Sequence, residues 1–233
     1  MVTIDVPDLH LQSGRIVLDA GCGTGRHLRE LVKIPGLRIF GIDRNEEDLN
    51  KALASLREMT DAATKHLQVL KADVNRLPFA DEAFDCVICS EVLEHIPEHH
   101  NALRELVRVL KPQGDLVVSV PRYLPEKICW MISRDYFNEK GGHLRIYKTN
   151  RLKKMLSESG VRCREINYRH ALHAPYWWIK CLVGLKNEGH WLVRYYKKFL
   201  EWDIMQKPFF VRRLEEILNP ILGKSIVFYL KKG

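Results

Sequence analysis

Four acids and two histidines in this chain sit in company that gives them chemistry. Asp19 precedes Gly21, Gly23 and Gly25 in the stretch VLDAGCGTG. Glycines alternating with small residues let the backbone turn sharply and let a ligand approach without a Cβ in the way. A carboxylate two residues before that turn would repel a pyrophosphate and suits the cationic amino-acid end of a ligand. Asp43 follows roughly 20 residues later, where an acid can accept hydrogen bonds from both hydroxyls of a ribose. Glu91, Glu94 and His95 are spaced three and four apart at the predicted start of a helix, which puts them on one face. Such oxygen and imidazole groups could hold a divalent metal such as Mg, which would lower the pKa of a bound hydroxyl. In the plainer reading Glu91 orients the ligand, while Glu94 and His95 cap the helix and line the pocket. His143, preceded by Gly141 and Gly142, is the leading candidate for a general base or substrate-orienting group. A surface histidine is the alternative there.

The elements that position these groups follow from hydrophobic periodicity. Val17 to Asp19 end a buried strand, and RHLRELVKI continues as a helix with Leu28, Leu31 and Val32 at helical spacing. A second strand covers 38–43, an amphipathic helix 46–58, and a third strand opens the 66–79 segment. FDCVICS (84–90) is apolar throughout, as expected of a central parallel strand buried on both faces. A helix (NALRELVRVL), a Lys111-Pro112-Gln113-Gly114 stop and a strand at 115–121 come next. Helices are expected over 125–138 and up to Gly160, with strands over 161–172 and 225–230. This alternation predicts an α/β fold with a doubly wound, mostly parallel sheet of seven strands and ligand sites at the carboxyl ends of those strands.

On these motifs the chain resembles the class I S-adenosylmethionine (SAM) methyltransferases, whose first motif reads [VIL]-L-D-x-G-C-G-x-G. Leu77-Pro78-Phe79, Asp81 and Phe84-Asp85 are similar to the L-P-F-x-D-x-x-F-D pattern of the small-molecule branch of that family. The segment from Leu103 through Arg108 to Gly114 and the H-x-R-x-[FY] run at His143, Arg145 and Tyr147 resemble further family features. The resemblance implies a Rossmann-like domain with SAM as cofactor, held by Asp19, Gly21, Cys22, Gly23, Gly25, Asp43, Arg44, Asp73, Val74, Ser90 and Glu91. Asp73 would face the adenine amino group and Val74 the ring. The E-x-x-E-H run resembles that of ubiquinone-pathway and small-RNA O-methyltransferases, which implies a metal on Glu91, Glu94 and His95 and catalytic roles for Glu94, His95 and His143. The likeness is good over 15–170 and loose over the last strand.

Composition bounds the partners. Across 233 residues, 46% hydrophobic and 28% charged content is ordinary for a soluble globular chain, read as a single domain over 1–233. The start lacks the pattern of a signal peptide, and the six scattered cysteines read as core thiols, so a cytoplasmic protein is expected. Residues 1–120 carry 14 Lys and Arg against 19 Asp and Glu, a net of −5; residues 121–233 carry 23 against 10, a net of +13. Anionic partners would therefore act mainly on the second half. Two helical inserts are expected, at 122–140 and 172–222, the latter holding Trp177, Trp178, Trp191 and Trp202. Leu192, Tyr195, Tyr196, Phe199 and Trp202 would share one face of its second helix. That insert reads as a lid, as an interfacial pair of helices on an anionic membrane, or as a stacking surface for single-stranded RNA.

These observations lead to a SAM-dependent O-methyltransferase acting on a small or lipid-linked acceptor such as a glycan, glycolipid or isoprenoid. Two other readings stand beside it. An RNA methyltransferase would use the basic half, although no RNA-binding module and no N-P-P-[FY] signature is present. A non-catalytic SAM-binding regulator would use the aromatic insert to engage a partner.

Overall fold

The computed structural model describes residues 2–59, 64–139, 141–206 and 208–233. Residue 140, which ends the first expected insert, and residue 207, within the second, lie outside them. One sheet contains β1 (Ile16–Ala20), β2 (Arg38–Asp43), β3 (Leu67–Lys71), β4 (Phe84–Ser90), β5 (Leu110–Pro121), β6 (Val161–Arg169) and β7 (Ser225–Lys232). Its order is β3-β2-β1-β4-β5-β7-β6, with β7 antiparallel to both of its neighbours and the first five strands mutually parallel. The strand order reverses between β1 and β4, and at such a switch point a crevice opens at the carboxyl ends. The expected seven-stranded, mostly parallel sheet is thus the one observed.

The sequence explains the individual elements. β4 is buried on both sides: Cys86 and Ile88 pack with Val17, Leu28 and Ile39, while Val87 and Cys89 pack with Leu18, Leu103 and Leu106. That is why its apolar run has no alternation. The two thiols of the C-x-x-C therefore lie on opposite faces, and all six cysteines are free. Of the helices on this sheet, α1 (Arg26–Leu31) follows the glycine turn and α2 (Glu46–Arg57) is capped by Asn45. The Asn45 side chain accepts from the N–H of Glu47 at 3.0 Å, and three acids in the first turn suit the positive helix end. α3 (His99–Val109) buries Ala102, Leu103, Leu106 and Val109, a 3.6-residue stripe. β5 starts earlier than expected: Leu110 pairs with Phe84 and Asp115 with Cys86, so Lys111 to Gly114 bulge out of the strand. Gln113 takes φ 57° there.

Two helical additions flank the crevice. α4 (Tyr123–Ile132) and α5 (Arg134–Phe137) follow β5, and α6 (Thr149–Glu158) returns to the sheet. Between β6 and β7 come α7 (His173–Val183), α8 (Trp191–Gln206) and α9 (Phe209–Leu222). Cys129, Tyr136 and Cys181 form a small core that joins α4, α5 and α7, with Trp130, Trp177 and Trp178 against it. The expected facing of α8 needs correction. The helix buries Val193 and Leu200, with Tyr196 and Phe199 half-buried, and leaves Trp191, Tyr195, Leu192 and Trp202 exposed. Apolar residues cover more than half of its circumference, so contacts with Leu172, Tyr176 and Val211, not periodicity, chose the inner face. Among the described residues no helix is long and apolar enough to cross a membrane.

Arg108 accounts for the L-P-F-x-D and R-V-L-K-P runs together. Its guanidinium donates to the carbonyls of Phe79 (2.9 Å) and Leu77 (3.1 Å), to Asp81 (2.7 Å) and to both oxygens of Glu105 (2.7 and 2.8 Å). Glu105 in turn accepts the Leu77 N–H at 2.8 Å. The loop after β3 is thereby tied to α3, and Phe79 is held edge-on to Phe40 and Phe84. Charge-assisted bonds to carbonyls that would otherwise lose their partner are worth about 1.5–3 kcal/mol each in gross terms. Arg108→Ala should therefore lower the unfolding free energy by about 2–3 kcal/mol in urea titration, with Arg108→Lys recovering only part. Asp81→Ala, which removes the exposed end of the network, should cost less than about 1 kcal/mol.

Candidate functional site

The glycine turn is built by β1 and β2 together. The N–H groups of Gly21 and Cys22 both donate to the Ile42 carbonyl at 2.8 Å. Asp43 completes the turn: Oδ2 accepts from the N–H of Gly23 at 2.9 Å and Oδ1 from the N–H of Asn45 at 2.8 Å. Gly21 has φ 81°, and a Cβ there would lie 2.4 Å from Val92 Cγ2. Gly23 has φ 50° with nothing within 4 Å of a Cβ position, so its open side faces the cavity. Gly25, also at positive φ, has another task, since a Cβ there would meet Ala52 of α2 at 2.9 Å. It serves the packing of α1 on α2 and does not line the cavity.

That cavity measures about 260 Å³ and gathers most of the residues singled out in the sequence. Gly21, Cys22, Gly23, Asp43, Arg44, Asp73, Val74, Ser90 and Glu91 line it, joined by Arg26, His27, Val92 and His95. Asp73 closes its own turn by accepting from the N–H of Asn75 at 2.8 Å. Asp19 lies behind the wall, fully buried, with both carboxylate oxygens lacking a hydrogen-bond partner. Burial raises its pKa to about 7, against the attraction of Arg26 and with some help from Asp43.

The E-x-x-E-H run departs from expectation. Glu91 takes φ 56°, Leu93–His95 form a single 3-10 turn, and α3 begins only at His99. The three groups therefore share no helical face. Glu91 turns back to the sheet, where its Oε1 accepts from Ser119 Oγ at 3.1 Å, and Ser119 Oγ pairs with Ser90 Oγ at 2.8 Å. Glu94 is fully buried, with neither carboxylate oxygen hydrogen-bonded and His95 Nε2 3.9 Å from its Oε1. Burial, then the charges of Glu91 and Glu126, hold its pKa well above the ordinary carboxylate range. The group whose ligand atoms come within 4.8 Å of one another is Glu94, His95 and His143, so His143 replaces Glu91 in the expected metal set.

A second cavity of about 290 Å³ opens on the other side of His95. His95, Tyr136, Glu139, Gly141, Gly142, His143, Trp177 and Lys224 line it. His143 Nδ1 lies 2.5 Å from Oε1 of Glu126, a carboxylate on α4 that is fully buried. Burial pushes the Glu126 carboxyl upward, but the hydrogen bond and charge of His143, with Lys224, take it below its ordinary pKa. His95 Nδ1 is 3.2 Å from the Gly142 carbonyl, which makes that nitrogen the donor and leaves Nε2 its lone pair. The two imidazole rings stand 5.0 Å apart. Burial, then His143, lowers the pKa of His95.

The H-x-R-x-[FY] segment now has a physical account. Arg145 donates to the carbonyls of Leu93, Ile96 and Pro97, Tyr147 donates to the Leu93 carbonyl at 3.2 Å, and the Leu144 N–H donates to the backbone carbonyl of Glu94 at 3.0 Å. These bonds clamp the 93–97 turn and bring His143 beside His95. Sequence reasoning missed Glu126, Ser119 and Lys224. Glu126 had one usable signal, a lone acid in an otherwise apolar helical segment.

Comparison with known proteins agrees with this geometry over the first cavity. A family model described as a methyltransferase domain matches residues 18–118, from β1 to β5. A sterol 24-C-methyltransferase of Aspergillus fumigatus is 29% identical over 136 residues, which are 58% of this chain and 33% of that protein. A cycloartenol-C-24-methyltransferase of Arabidopsis thaliana is 34% identical over 106 residues, 45% of this chain and 30% of its own. The chain thus spans about a third of the length of these curated relatives. Among solved structures, a putative methyltransferase from Bacillus halodurans superposes with a TM-score of 0.65 at 20% identity, covering 97% of this chain and 96% of its own. The [4+2]-cyclase SpnF superposes with a TM-score of 0.62 at 19% identity, over 96% of this chain and 76% of its own. A shared fold therefore leaves the reaction open; what the matched segment adds is that residues 18–118 of this chain are similar to a methyltransferase domain.

Proposed function

We propose that the chain transfers a methyl group from SAM to a hydroxyl of a small or lipid-linked acceptor, such as a glycan, glycolipid or isoprenoid. The observation that carries this reading is the meeting of two cavities at His95, the second holding a carboxylate-oriented imidazole. The first cavity fits the cofactor. Asp19 is a buried carboxylate without a partner beneath the glycine turn, which suits a cationic amino group. Asp43 keeps one lone pair on each oxygen for ribose hydroxyls, and Asp73 and Val74 lie where the base would rest. When bound, the cofactor supplies a methyl group on a sulfonium that needs no further activation.

The acceptor oxygen still has to lose a proton. Glu126 holds Nδ1 of His143, so Nε2 is the nitrogen available to take that proton. The carboxylate then stabilises the imidazolium, as the third member of a triad does. Tyr136 and Trp177 offer an apolar wall, and Lys224, 4.9 Å above the Trp177 ring, offers a cation for an anionic acceptor group. A lipid-linked acceptor is further supported by the outer surface of the second insert. Phe209, Phe210, Leu214, Ile217 and Ile221 are exposed on α9, and Trp202 continues them onto α8 at 6.2 Å from Phe210. Aromatic and aliphatic groups next to Arg212, Arg213, Lys197 and Lys198 suit an anionic membrane surface.

A divalent metal is the second reading, favoured by the closeness of Glu94, His95 and His143. An RNA acceptor draws on the +13 charge of residues 121–233 alone. The regulator reading requires binding without turnover.

Methyl transfer from labelled SAM into lipid, small-molecule and RNA fractions of a cell extract separates these. Label in the lipid or glycan pool supports the proposal, label in RNA replaces it, and SAM binding with no label in any pool favours the regulator. His143→Ala should lower kcat by about 10²–10⁴ with SAM affinity unchanged. Full activity in excess chelator removes the metal reading, and loss restored by Mg removes the unaided base.

SAM affinity should also report on Asp19. A cationic ligand favours the ionised form, so affinity should fall as pH drops below about 7, by up to about tenfold per pH unit. For folding the sign is opposite: the raised pKa gives a contribution that is full below 3.8 and lost as pH rises through about 7. Calorimetric titration of Asp19→Asn should show weak binding with no such slope, and Gly23→Arg should abolish binding. A flat profile in the unmodified chain would separate Asp19 from the ligand. Finally, sedimentation with phosphatidylglycerol-containing vesicles should carry the chain down at low salt. Phe209→Ser with Phe210→Ser should leave it in solution, whereas equal behaviour of both forms would deny the membrane surface.

A further inference from the structure

A second cluster of ligating groups, with His170 buried and His173 and Glu215 half-buried, lies in neither cavity. His170 follows β6, His173 opens α7, and Glu215 stands on the inner side of α9. One atom from each comes within 4.8 Å of the other two. His170 Nε2, His173 Nδ1 and Glu215 Oε1 are all buried without a hydrogen-bond partner in the protein. Buried polar atoms are seldom left unpaired, and one on each of three neighbouring ligating side chains calls for an occupant. We propose that His170, His173 and Glu215 bind a divalent transition metal, zinc foremost, that fastens the second insert to the sheet.

The backbone is shaped for this pairing. His170 takes φ 67°, a left-handed conformation that a non-glycine residue adopts at a cost. Its carbonyl accepts the His173 N–H at 3.1 Å, which closes the turn and sets the two rings 5.5 Å apart. The adjoining Ala171 N–H donates to Asn219 Oδ1 at 3.0 Å, so α9 is drawn against the same turn.

The local chemistry suits a metal. His170 Nε2 and His173 Nδ1 are each a buried ring nitrogen that no protein group occupies, which is what a metal-binding imidazole must offer. Asp203 on α8 is close enough to raise the Glu215 pKa further after burial has done so, and its own Oδ1 is buried and unpaired. Glu215 also has Arg212 and Arg169 near it and Asp203 has Arg212, so the two carboxylates supply the negative charge that a dication in this basic surrounding needs. Two imidazoles and a carboxylate are a common zinc set, with the fourth tetrahedral position left to water.

The site bears on the acceptor cavity through α7. His173 and Trp177 are four residues apart, on one face of that helix, and Trp177 lines the second cavity. Fixing His173 therefore fixes the wall on which the acceptor would rest. The cluster is separate from Glu94, His95 and His143, and its test does not depend on methyl transfer.

The full chain, produced without a polyhistidine tag and dialysed into metal-free buffer, should retain about one zinc per molecule by elemental analysis. Chelator should lower its melting temperature by several degrees and change the near-ultraviolet dichroism of its tryptophans, and zinc should restore both. Glu215→Gln and His173→Gln should lose the zinc, whereas His95→Ala with His143→Ala should keep it. If the His173 variant does not fold, the zinc content and chelator response of the unmodified chain decide the matter. A metal-free chain whose melting temperature ignores both zinc and chelator overturns the proposal. So does zinc that leaves with His95 and His143 and stays without His173.

Discussion

Carboxylates withdrawn from water at one end of the sheet are what the rest of this structure must accommodate. Asp19, Glu94 and Glu126 are fully buried, and Glu91 is turned inward between them and Ser119. Water is the cheapest partner for a carboxylate, so each of these needs either a substitute or a reason to stay neutral. Glu126 has His143 and Glu91 has Ser119, while Asp19 and Glu94 have no hydrogen-bond partner and are shifted upward in pKa. The β1–β4 switch point, the glycine turn and the clamp from Arg145 all serve to hold this acidity in one place. An apolar crevice of the same shape would be easier to fold and would have nothing to offer a cation or a proton.

Much of this was legible in the sequence because the signals are local. The glycine turn, the unbroken run of β4 and the capped start of α2 each lie within about ten residues, so period and motif could find them. The cavity at the carboxyl ends followed from the order of strands. What escaped was set by contacts distant along the chain. Glu126 meets His143 across 17 residues and two segments, and although a lone acid in an apolar helical stretch can be noticed, nothing local names the partner it will meet. The E-x-x-E-H spacing implied a helix, but a left-handed Glu91 and a 3-10 turn broke the assumed face. The facing of α8 failed for a related reason. With apolar residues on most sides, the partner helix chooses the buried stripe, and the partner was not written in that segment.

The two halves of the chain divide the work along the same line. The acidic half supplies the turn, Asp43 and the strand ends of the first cavity, and it is this half that resembles other methyltransferases. The basic half supplies His143, Tyr136, Trp177 and Lys224, which lie beyond the segment that the family model matches. Under the proposed function, such a division would let the acceptor change through α4 to α9 while the cofactor site stays as it is.

His95 forms part of the wall of both cavities. A side chain shared in this way ties the two occupants together thermodynamically. Whatever position its ring adopts for the first arrival, the second meets that ring already placed, so the free energies of binding are not independent. The coupling is reciprocal, and under the proposed reaction the spent cofactor and the methylated acceptor would act on the same ring as they leave. The order of arrival and departure is therefore a property of one imidazole held by the Gly142 carbonyl, and a change at Gly142 would be felt as altered kinetic order before it was felt as altered chemistry.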